Sequence, residues 1–247
     1  MAGGDTRHAE VSYINADGDA VTVSLGRVDP ASVVRGRPVR DVKSRAGQRN
    51  YSGLFWCATT QTHLCYESLL ERDRLLLADF DPAVRWVACQ SFWLRGPDGS
   101  AFRQHVPDVL LEHRDGGYSV VDVKAPWFLE KPEVAAVLEW TGRVCRSRGW
   151  RYEVWTGGNP TEVSNVRVLS MARRSAVIDR AATEAVAAVA RDGMTIDMLR
   201  GLAVRDGVTR QSAFVAVLER LWSGAWFTDL SSPLTGDSVV TIVSGAA

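Results

Sequence analysis

Two acidic residues and a lysine lie on neighbouring apolar segments of this sequence. Asp108 follows Pro107 and opens one apolar run, and Asp122 stands two residues before Lys124 at the end of the next run. Carboxylates on adjacent strands can hold a divalent ion through oxygen ligands, and Mg²⁺ keeps several waters in such a site. A lysine beside the ion can stabilise a phosphoryl transition state or orient the attacking water. The pattern therefore raises the hypothesis of a metal site built on a β-hairpin.

The turn between the two segments decides whether the carboxylates can meet. A two-residue turn would leave Asp108 and Asp122 on opposite faces of the hairpin. A three-residue loop with a glycine bulge would pair Asp108 with Asp122 or Lys124 on the same face, and the D-G-G sequence at 115–117 permits such a bulge. A surface hairpin with a chance D-x-K spacing is the competing interpretation.

A third acidic group from a preceding helix would complete a metal cluster. Leucines that recur at helical spacing predict a helix from about residue 63 to residue 79, with Glu67 and Glu71 one turn apart. Either glutamate can supply the acid in this chain order. The alternative is that both are exposed helix carboxylates.

The elements around these residues predict an α+β layered domain over residues 1–172. A helix is expected from Pro132 to about Arg148. Strands are expected in a hairpin over 10–26 and in the segments 52–58, 84–89, 91–94 and 150–156.

Residues 173–247 have a different composition and form a second predicted domain. Three helical segments followed by a terminal hairpin are typical of a winged helix. Residues 175–247 hold six cations against eight acidic residues: Arg180, Arg191, Arg200, Arg205, Arg210 and Arg220 against Asp179, Glu184, Asp192, Asp197, Asp206, Glu219, Asp229 and Asp237. Because this stretch is slightly acidic and has no lysine, we expect the domain to dock a protein rather than grip DNA.

Composition and charge narrow the class of protein. The chain has 247 residues, and its 29 lysines and arginines balance its 29 aspartates and glutamates. The net charge is therefore zero and does not by itself indicate a nucleic-acid partner. No secretory signal or membrane-spanning run is apparent, and the four cysteines form no C-x-x-C pair. We therefore expect a cytoplasmic protein with reduced, mostly buried thiols and without a membrane partner.

One basic stretch interrupts this neutral chain. Residues 35–49 carry a single acidic residue, Asp41, among six cations: Arg35, Arg37, Arg40, Lys43, Arg45 and Arg49. A charge run of this kind is usually a solvated loop. Beside a nuclease site it would instead supply the cations that a phosphate backbone needs.

The order of these motifs resembles the TnsA endonuclease subunit of heteromeric transposases, a member of the PD-(D/E)xK restriction-like nuclease superfamily. The resemblance covers roughly residues 45–160 and runs from Ser68 and Glu71 through Gln90 to the V-P-D motif at 106–108 and the V-D-V-K motif at 121–124. It implies a restriction-endonuclease-like domain, a mixed sheet flanked by helices, followed by a C-terminal winged helix. An aspartate stands at position 122, where glutamine can occur in that family.

Carried over by position, the resemblance implies a site residue at each motif. Glu71 would be the helical acid, Asp108 the bridging metal ligand, Asp122 the second strand ligand, and Lys124 the catalytic lysine. The carbonyl of Val123 would be a further ligand. The implied activity is Mg²⁺-dependent hydrolysis, with Mn²⁺ as a substitute, of one strand of double-stranded DNA at a transposon end, together with a transposase and an AAA+ ATPase.

Two alternatives remain open from the sequence. One is a stand-alone restriction, repair or phage-type endonuclease, and the other is a non-catalytic DNA-binding assembly subunit. Strand alternation places His105 on the face opposite Asp108, so we interpret it as structural or close to DNA rather than as a ligand. Gln90 corresponds to a family position near the site, and the alternative is that it caps the end of a strand. Core packing explains most of the nine tryptophans.

Overall fold

The structure of the chain is a computed structural model that describes residues 8–40 and 51–242. The chain divides into two compact units, residues 1–157 and residues 158–247. The first unit contains β1 (Glu10–Ile14), β2 (Ala20–Ser24), α1 (Pro30–Val34), β3 (Gly53–Cys57), β4 (Thr62–Tyr66), α2 (Leu69–Phe80), β5 (Val84–Cys89), β6 (Phe92–Asp98), β7 (Ala101–His105), β8 (Val109–His113), β9 (Tyr118–Val123), α3 (Pro126–Leu129), α4 (Pro132–Ser147) and β10 (Arg151–Trp155). The second contains α5 (Pro160–Leu169), α6 (Arg180–Val189), α7 (Ile196–Arg205), α8 (Arg210–Trp222), β11 (Trp226–Phe227) and β12 (Thr241–Ile242).

Two four-stranded sheets form the framework of the first unit. One is antiparallel, with the strand order β2-β1-β6-β7, and the other is mixed, with the order β10-β9-β8-β5. In the mixed sheet β10 runs parallel to β9, and the remaining pairs are antiparallel. The parallel connection from β9 to β10 contains α3 and α4, as a crossover between parallel strands requires. The predicted α+β class is therefore confirmed as mixed and antiparallel sheets flanked by helices.

The β8–β9 hairpin turns through a three-residue loop. Gly116 has a φ of +81°, and the N–H of His113 donates to the carbonyl of Gly117 at 2.9 Å. In this register Val109 lies opposite Val121, so Asp108 comes directly before the paired residues of β8 and Asp122 directly after those of β9. Of the two turns that the sequence left open, the bulged loop is the one present, with Gly116 in the left-handed conformation that glycine tolerates best.

The predicted helix from residue 63 begins later than expected. Residues 62–66 form strand β4, which pairs with β3, and α2 begins at Leu69 behind the N-cap Ser68. A side chain of α2, that of Asp79, holds the tight turn between β3 and β4. The buried carboxylate of Asp79 accepts hydrogen bonds from the backbone N–H groups of Ala58 and Thr59 at 3.0 and 2.8 Å. The leucines at positions 69, 70, 76 and 77 all lie within α2, so their spacing predicts the helix but does not locate its first residue.

Helix α4 closes the core of the first unit. Trp140, Val144 and Cys145 on α4 are buried against sheet residues such as Leu110 and Val120. The indole N–H of Trp140 donates to the carbonyl of Pro97 at 3.0 Å and so ties α4 to the antiparallel sheet. Burial of large apolar side chains of this kind contributes roughly 1.5–3 kcal/mol each. These contacts hold α4 against the sheet that contains the β8–β9 hairpin.

The second unit is formed by helices α5 to α8 and the two-stranded antiparallel sheet β11–β12. It begins at residue 158, earlier than the boundary expected at 172, because α5 belongs to it. The buried side chain of Asn165 on α5 donates to the carbonyls of Leu230 and Ser232 at 2.9 and 2.7 Å and accepts from the N–H of Leu234. These bonds join α5 to the segment between β11 and β12.

All four cysteines carry free thiols, and only Cys65 is partly exposed. The Sγ atoms of Cys65 and Cys89 lie 2.7 Å apart across β4 and β5, a proximity that their spacing in the sequence did not indicate. Within the described ranges, no helix combines the length and the apolar character that crossing a membrane requires.

Candidate functional site

Asp108 and Lys124 meet at the open end of the β8–β9 hairpin. The Nζ of Lys124 donates to Oδ2 of Asp108 at 2.8 Å and to the carbonyl of Val123 at 3.1 Å. The backbone N–H of Val123 donates to the same Oδ2 at 2.7 Å. Two of the oxygens that the resemblance assigns to a metal therefore converge on one positive charge, the ammonium of Lys124.

Burial perturbs both partners of this pair. Burial raises the pKa of Asp108, and the ammonium of Lys124 offsets only part of the rise. Burial also works to lower the pKa of Lys124, but the carboxylates of Asp108 and Asp122 outweigh it and hold that pKa above its ordinary value. Lys124 therefore stays charged at neutral pH, as stabilisation of a phosphate in a site of low dielectric requires.

Gln90 fixes the backbone of Asp108 from the neighbouring strand. It follows β5 with a φ of +46°, an uncommon conformation for a side chain of this size. Its N–H donates to the carbonyl of Asp108 at 3.0 Å, and its own carbonyl accepts from the N–H of Val39 at 2.8 Å. The position near the site that the resemblance implied for Gln90 corresponds here to a backbone contact.

Asp122 lies behind this site and is completely buried. Its Oδ1 lies 2.7 Å from Nε2 of His105, and its Oδ2 accepts a 2.6 Å hydrogen bond from the hydroxyl of Tyr152. Burial and the Asp122 charge raise the pKa of Tyr152 well above its usual range, so the phenol remains the donor. A glycine at 142 makes room for the tyrosine, because a Cβ there would lie 2.7 Å from its ring.

The contact between His105 and Asp122 differs from the interpretation based on strand alternation. His105 ends β7 in the antiparallel sheet, whereas Asp108 precedes β8 in the mixed sheet. Alternation holds only within one strand. The chain changes sheets between these two residues, and His105 turns toward the carboxylate that the sequence had assigned to a metal.

Glu71 occupies the first turn of α2 and forms a variant of the capping box with Ser68. The Oγ of Ser68 accepts from the N–H of Glu71 at 3.1 Å, and Oε2 of Glu71 accepts from the N–H of Glu67, the residue before the cap, at 2.8 Å. Burial, followed by the nearby charge of Asp108, raises the pKa of Glu71 to about 7. Glu67 pairs with Arg40 at 3.3 Å.

A cavity of about 650 Å³ opens in front of these groups. Its lining is formed by α2, β6, β7, the hairpin end and α3, and Asp122 and Tyr152 are not part of it. The lining residues are Arg40, Glu67, Ser68, Leu70, Glu71, Trp93, Gln104, His105, Val106, Asp108, Val123, Lys124, Ala125, Trp127, Phe128 and Val134.

The three arginines of the basic stretch that the structure describes make different contacts. Arg35 pairs with the buried carboxylate of Glu112 and covers the ring of Trp86, so it is engaged inside the fold. Arg37 is exposed and donates to a backbone carbonyl at 3.2 Å, whereas Arg40 lines the cavity. Positions 43, 45 and 49, where Lys43, Arg45 and Arg49 were predicted to contact DNA, lie outside the described residues.

The donor atoms at the cavity suit a hydrated Mg²⁺ ion only in part. Asp108, the carbonyl of Val123 and Glu71 are oxygen donors of the kind that a hard divalent ion prefers, and the first two already converge on a cation. Asp122 does not fit as a direct ligand, because both of its oxygens are engaged within the buried interior. Among residues 8–40 and 51–242, no three His, Cys, Asp or Glu side chains are placed to hold a metal.

Helix α3 brings aromatic side chains to the same cavity, which the sequence analysis did not anticipate. Trp127 is 64% exposed and Phe128 is 40% exposed, in contrast to core tryptophans such as Trp140. Their position in the sequence could have indicated this placement. They directly follow the Lys124 motif and Pro126, in a segment too short to form a helix with a buried apolar face.

The site is thus assembled from the end of the β8–β9 hairpin, the first turn of α2 and the single turn of α3. Its acidic and basic groups come from positions that the motif order had singled out, and its aromatic groups do not. In comparisons with protein-family models and with curated proteins, the chain matches none of them.

Proposed function

We propose that this protein is a metal-dependent DNA endonuclease of the TnsA type, which cleaves one strand of double-stranded DNA together with a partner transposase. The observation that carries the proposal is the convergence of Oδ2 of Asp108 and the carbonyl of Val123 on the Lys124 ammonium. The Glu71 carboxyl, whose pKa responds to the charge of Asp108, lines the same cavity. These groups supply part of the donor set of a PD-(D/E)xK hydrolase, without a direct ligand from Asp122.

In this proposal the residues of the chain have separate tasks. Asp108 and the Val123 carbonyl would hold the ion, and Glu71 would add a carboxylate from α2 once it had lost its proton. A bound Mg²⁺ would supply an activated water and neutralise charge on the phosphate. Lys124 would pair with the phosphate, where its ammonium would stabilise the charge of the transition state.

The second unit supports a partner role rather than independent DNA binding. Its three helices, α6 to α8, are followed by β11 and β12, and this order supports the winged helix that we propose for the unit. On α7, Arg200 pairs with Asp197 at 2.8 Å and covers the ring of Phe214, so this cation is engaged within the unit. We infer that the unit docks the transposase or the AAA+ ATPase.

Cleavage of plasmid DNA tests the proposal. Purified protein, with and without the partner transposase, should nick DNA in Mg²⁺ or Mn²⁺ and not in EDTA. Asp108→Asn should abolish nicking and weaken Mn²⁺ binding measured by calorimetry, because it removes the charge that holds the ion. Asp115→Asn is the matched control, since Asp115 lies exposed at the opposite end of the same hairpin.

Nicking by Asp108→Asn at the wild-type rate would contradict the proposed site. The same would follow if Asp115→Asn lost activity to the same extent, because the effect would then come from the hairpin fold and not from the cavity.

One observation favours a second candidate, a non-catalytic DNA-binding assembly subunit. The described residues hold no ready three-ligand cluster, and Asp122 is bound by His105 and Tyr152. A protein that keeps this arrangement would bind DNA and its partners without taking up an ion. Calorimetry without Mn²⁺ binding, combined with intact DNA binding, would favour this candidate over the endonuclease.

A further inference from the structure

The cavity at the candidate site has two chemically different walls. One wall carries the polar groups Glu71, Asp108 and Lys124. The other is aromatic and contains Trp127 and Phe128. A phosphate with a hydrated ion would use the polar wall alone. The aromatic wall therefore calls for a part of the ligand that is flat and apolar.

The aromatic wall is held in a fixed position relative to Lys124. Pro126 begins α3 two residues after Lys124 and fixes the backbone there. The N–H of Phe128 donates to the carbonyl of Ala125 at 2.9 Å, and the N–H of Lys131 donates to the carbonyl of Phe128 at 3.3 Å. These bonds hold the backbone of the turn that carries the two rings at the edge of the cavity.

Exposure and charge indicate what these rings contact. The ring centroids of Trp127 and Phe128 lie 6.0 Å apart with a tilt of 33°, so the rings are not stacked face to face. Trp127 is 64% exposed and Phe128 40% exposed, and both line the cavity, so they form a contiguous aromatic surface of the kind that marks a ligand-binding groove. The ammonium of Lys131 lies 5.0 Å from the Phe128 ring centroid, which adds positive charge beside the aromatic surface and suits a polyanion.

We propose that Trp127 and Phe128 form a stacking platform for a nucleobase that has left the duplex next to the phosphate bound at Asp108 and Lys124. A nucleotide matches both walls, because its phosphate is anionic and its base is flat with exposed π faces. This inference rests on the proposed function and specifies its substrate class. The preferred DNA carries an unpaired or easily unstacked base at the site of cleavage, since such a base has little stacking energy to lose.

Binding of two matched DNAs to the full chain tests the inference without catalysis. One is a short duplex, and the other is the same duplex with a single extrahelical base. Fluorescence anisotropy in EDTA gives both dissociation constants. Wild type should bind the bulged DNA more tightly, and Trp127→Ala should weaken that complex by about 5- to 150-fold, as expected when one stacked base is lost.

Three further variants separate stacking from general apolar contact. Trp127→Phe should restore most of the affinity, and Trp127→Leu should not, because leucine is apolar but not planar. Phe102→Ala is the matched control, since Phe102 is 72% exposed on β7 but does not line the cavity. Its complexes should bind as tightly as those of wild type.

The failures of this inference and of the proposed function can be distinguished. If wild type binds DNA but Trp127→Ala keeps its preference for the bulged duplex, the stacking platform is refuted and the endonuclease stands. Full rescue by Trp127→Leu would likewise refute base stacking. If wild type binds neither DNA at low salt, with or without Mn²⁺, the proposed function fails and the platform with it.

Discussion

Replacing Glu71 by glutamine should make the protein more stable while removing a candidate ligand. Burial and the charge of Asp108 raise the pKa of Glu71 from 4.5 to about 7. As pH rises between these values the unfolded chain releases this proton, whereas the folded chain keeps it. The folded state is therefore progressively disfavoured, and the penalty is complete above pH 7.

The size of the penalty follows from this difference in pKa. At roughly 1.4 kcal/mol per pH unit, the interval from 4.5 to 7 corresponds to about 3 kcal/mol. Glutamine also suits the third position of a capping box, but it loses the favourable charge at the helix N-terminus, which is worth up to about 1 kcal/mol. The net gain of Glu71→Gln should therefore be about 2 kcal/mol at pH 8.5 and close to zero at pH 5.

Urea denaturation of both proteins at pH 5 and pH 8.5 measures this gain. Glu162→Gln is the matched control, because Glu162 holds the same first-turn position of α5, behind the cap Asn159, and is exposed. That change should shift stability by less than about 0.5 kcal/mol at either pH. An advantage of Glu71→Gln that was equal at both pH values would refute the reasoning, because the titration of a buried carboxyl could not then be its source.

Three further outcomes are expected. Lys124→Ala should slow nicking by a factor on the order of 10²–10³ while Mn²⁺ binding persists in calorimetry; loss of ion binding would instead make Lys124 part of the ion site. Arg40→Glu should weaken DNA binding and reduce the salt dependence of the affinity by roughly one released counterion per lost phosphate contact, whereas Arg151→Glu, at the opposite end of the sheet, should not; equal slopes would place Arg40 outside the interface. Glutathione disulfide should oxidise Cys65 and Cys89 to a disulfide that appears in peptide mass spectra, because their Sγ atoms lie 2.7 Å apart; recovery of both thiols unmodified would exclude the link.

The part of the site that the sequence predicted is the part encoded locally. The D-G-G sequence permitted the bulged loop that the structure contains, with Gly116 at positive φ, and left the two-residue turn open. The S-x-x-E spacing marks the N-cap Ser68 and Glu71, although the helix was expected to begin near residue 63. In each case the deciding contact joins residues close together in the chain.

The parts that the sequence did not predict depend on contacts between distant segments. The carboxylate of Asp122 is held by His105 from the other sheet and by Tyr152 from β10, and neither partner follows from strand alternation. Strand β4 lies where the first turns of the helix were expected, and Asp79 on α2 holds the turn that precedes this strand. Local sequence patterns therefore located the candidate residues but not the partners of their side chains.

The three-residue loop between β8 and β9 also determines which insertions and deletions this hairpin can tolerate. The hydrogen bond between His113 and Gly117 closes the loop, and any loop that keeps this closing pair leaves every cross-strand pair unchanged. Removing one loop residue would require a two-residue turn of type I′ or II′ in place of the bulge, and adding residues would require a longer loop. The length of the loop at 114–116 can therefore change without moving Asp108, provided that the new turn keeps the closing pair.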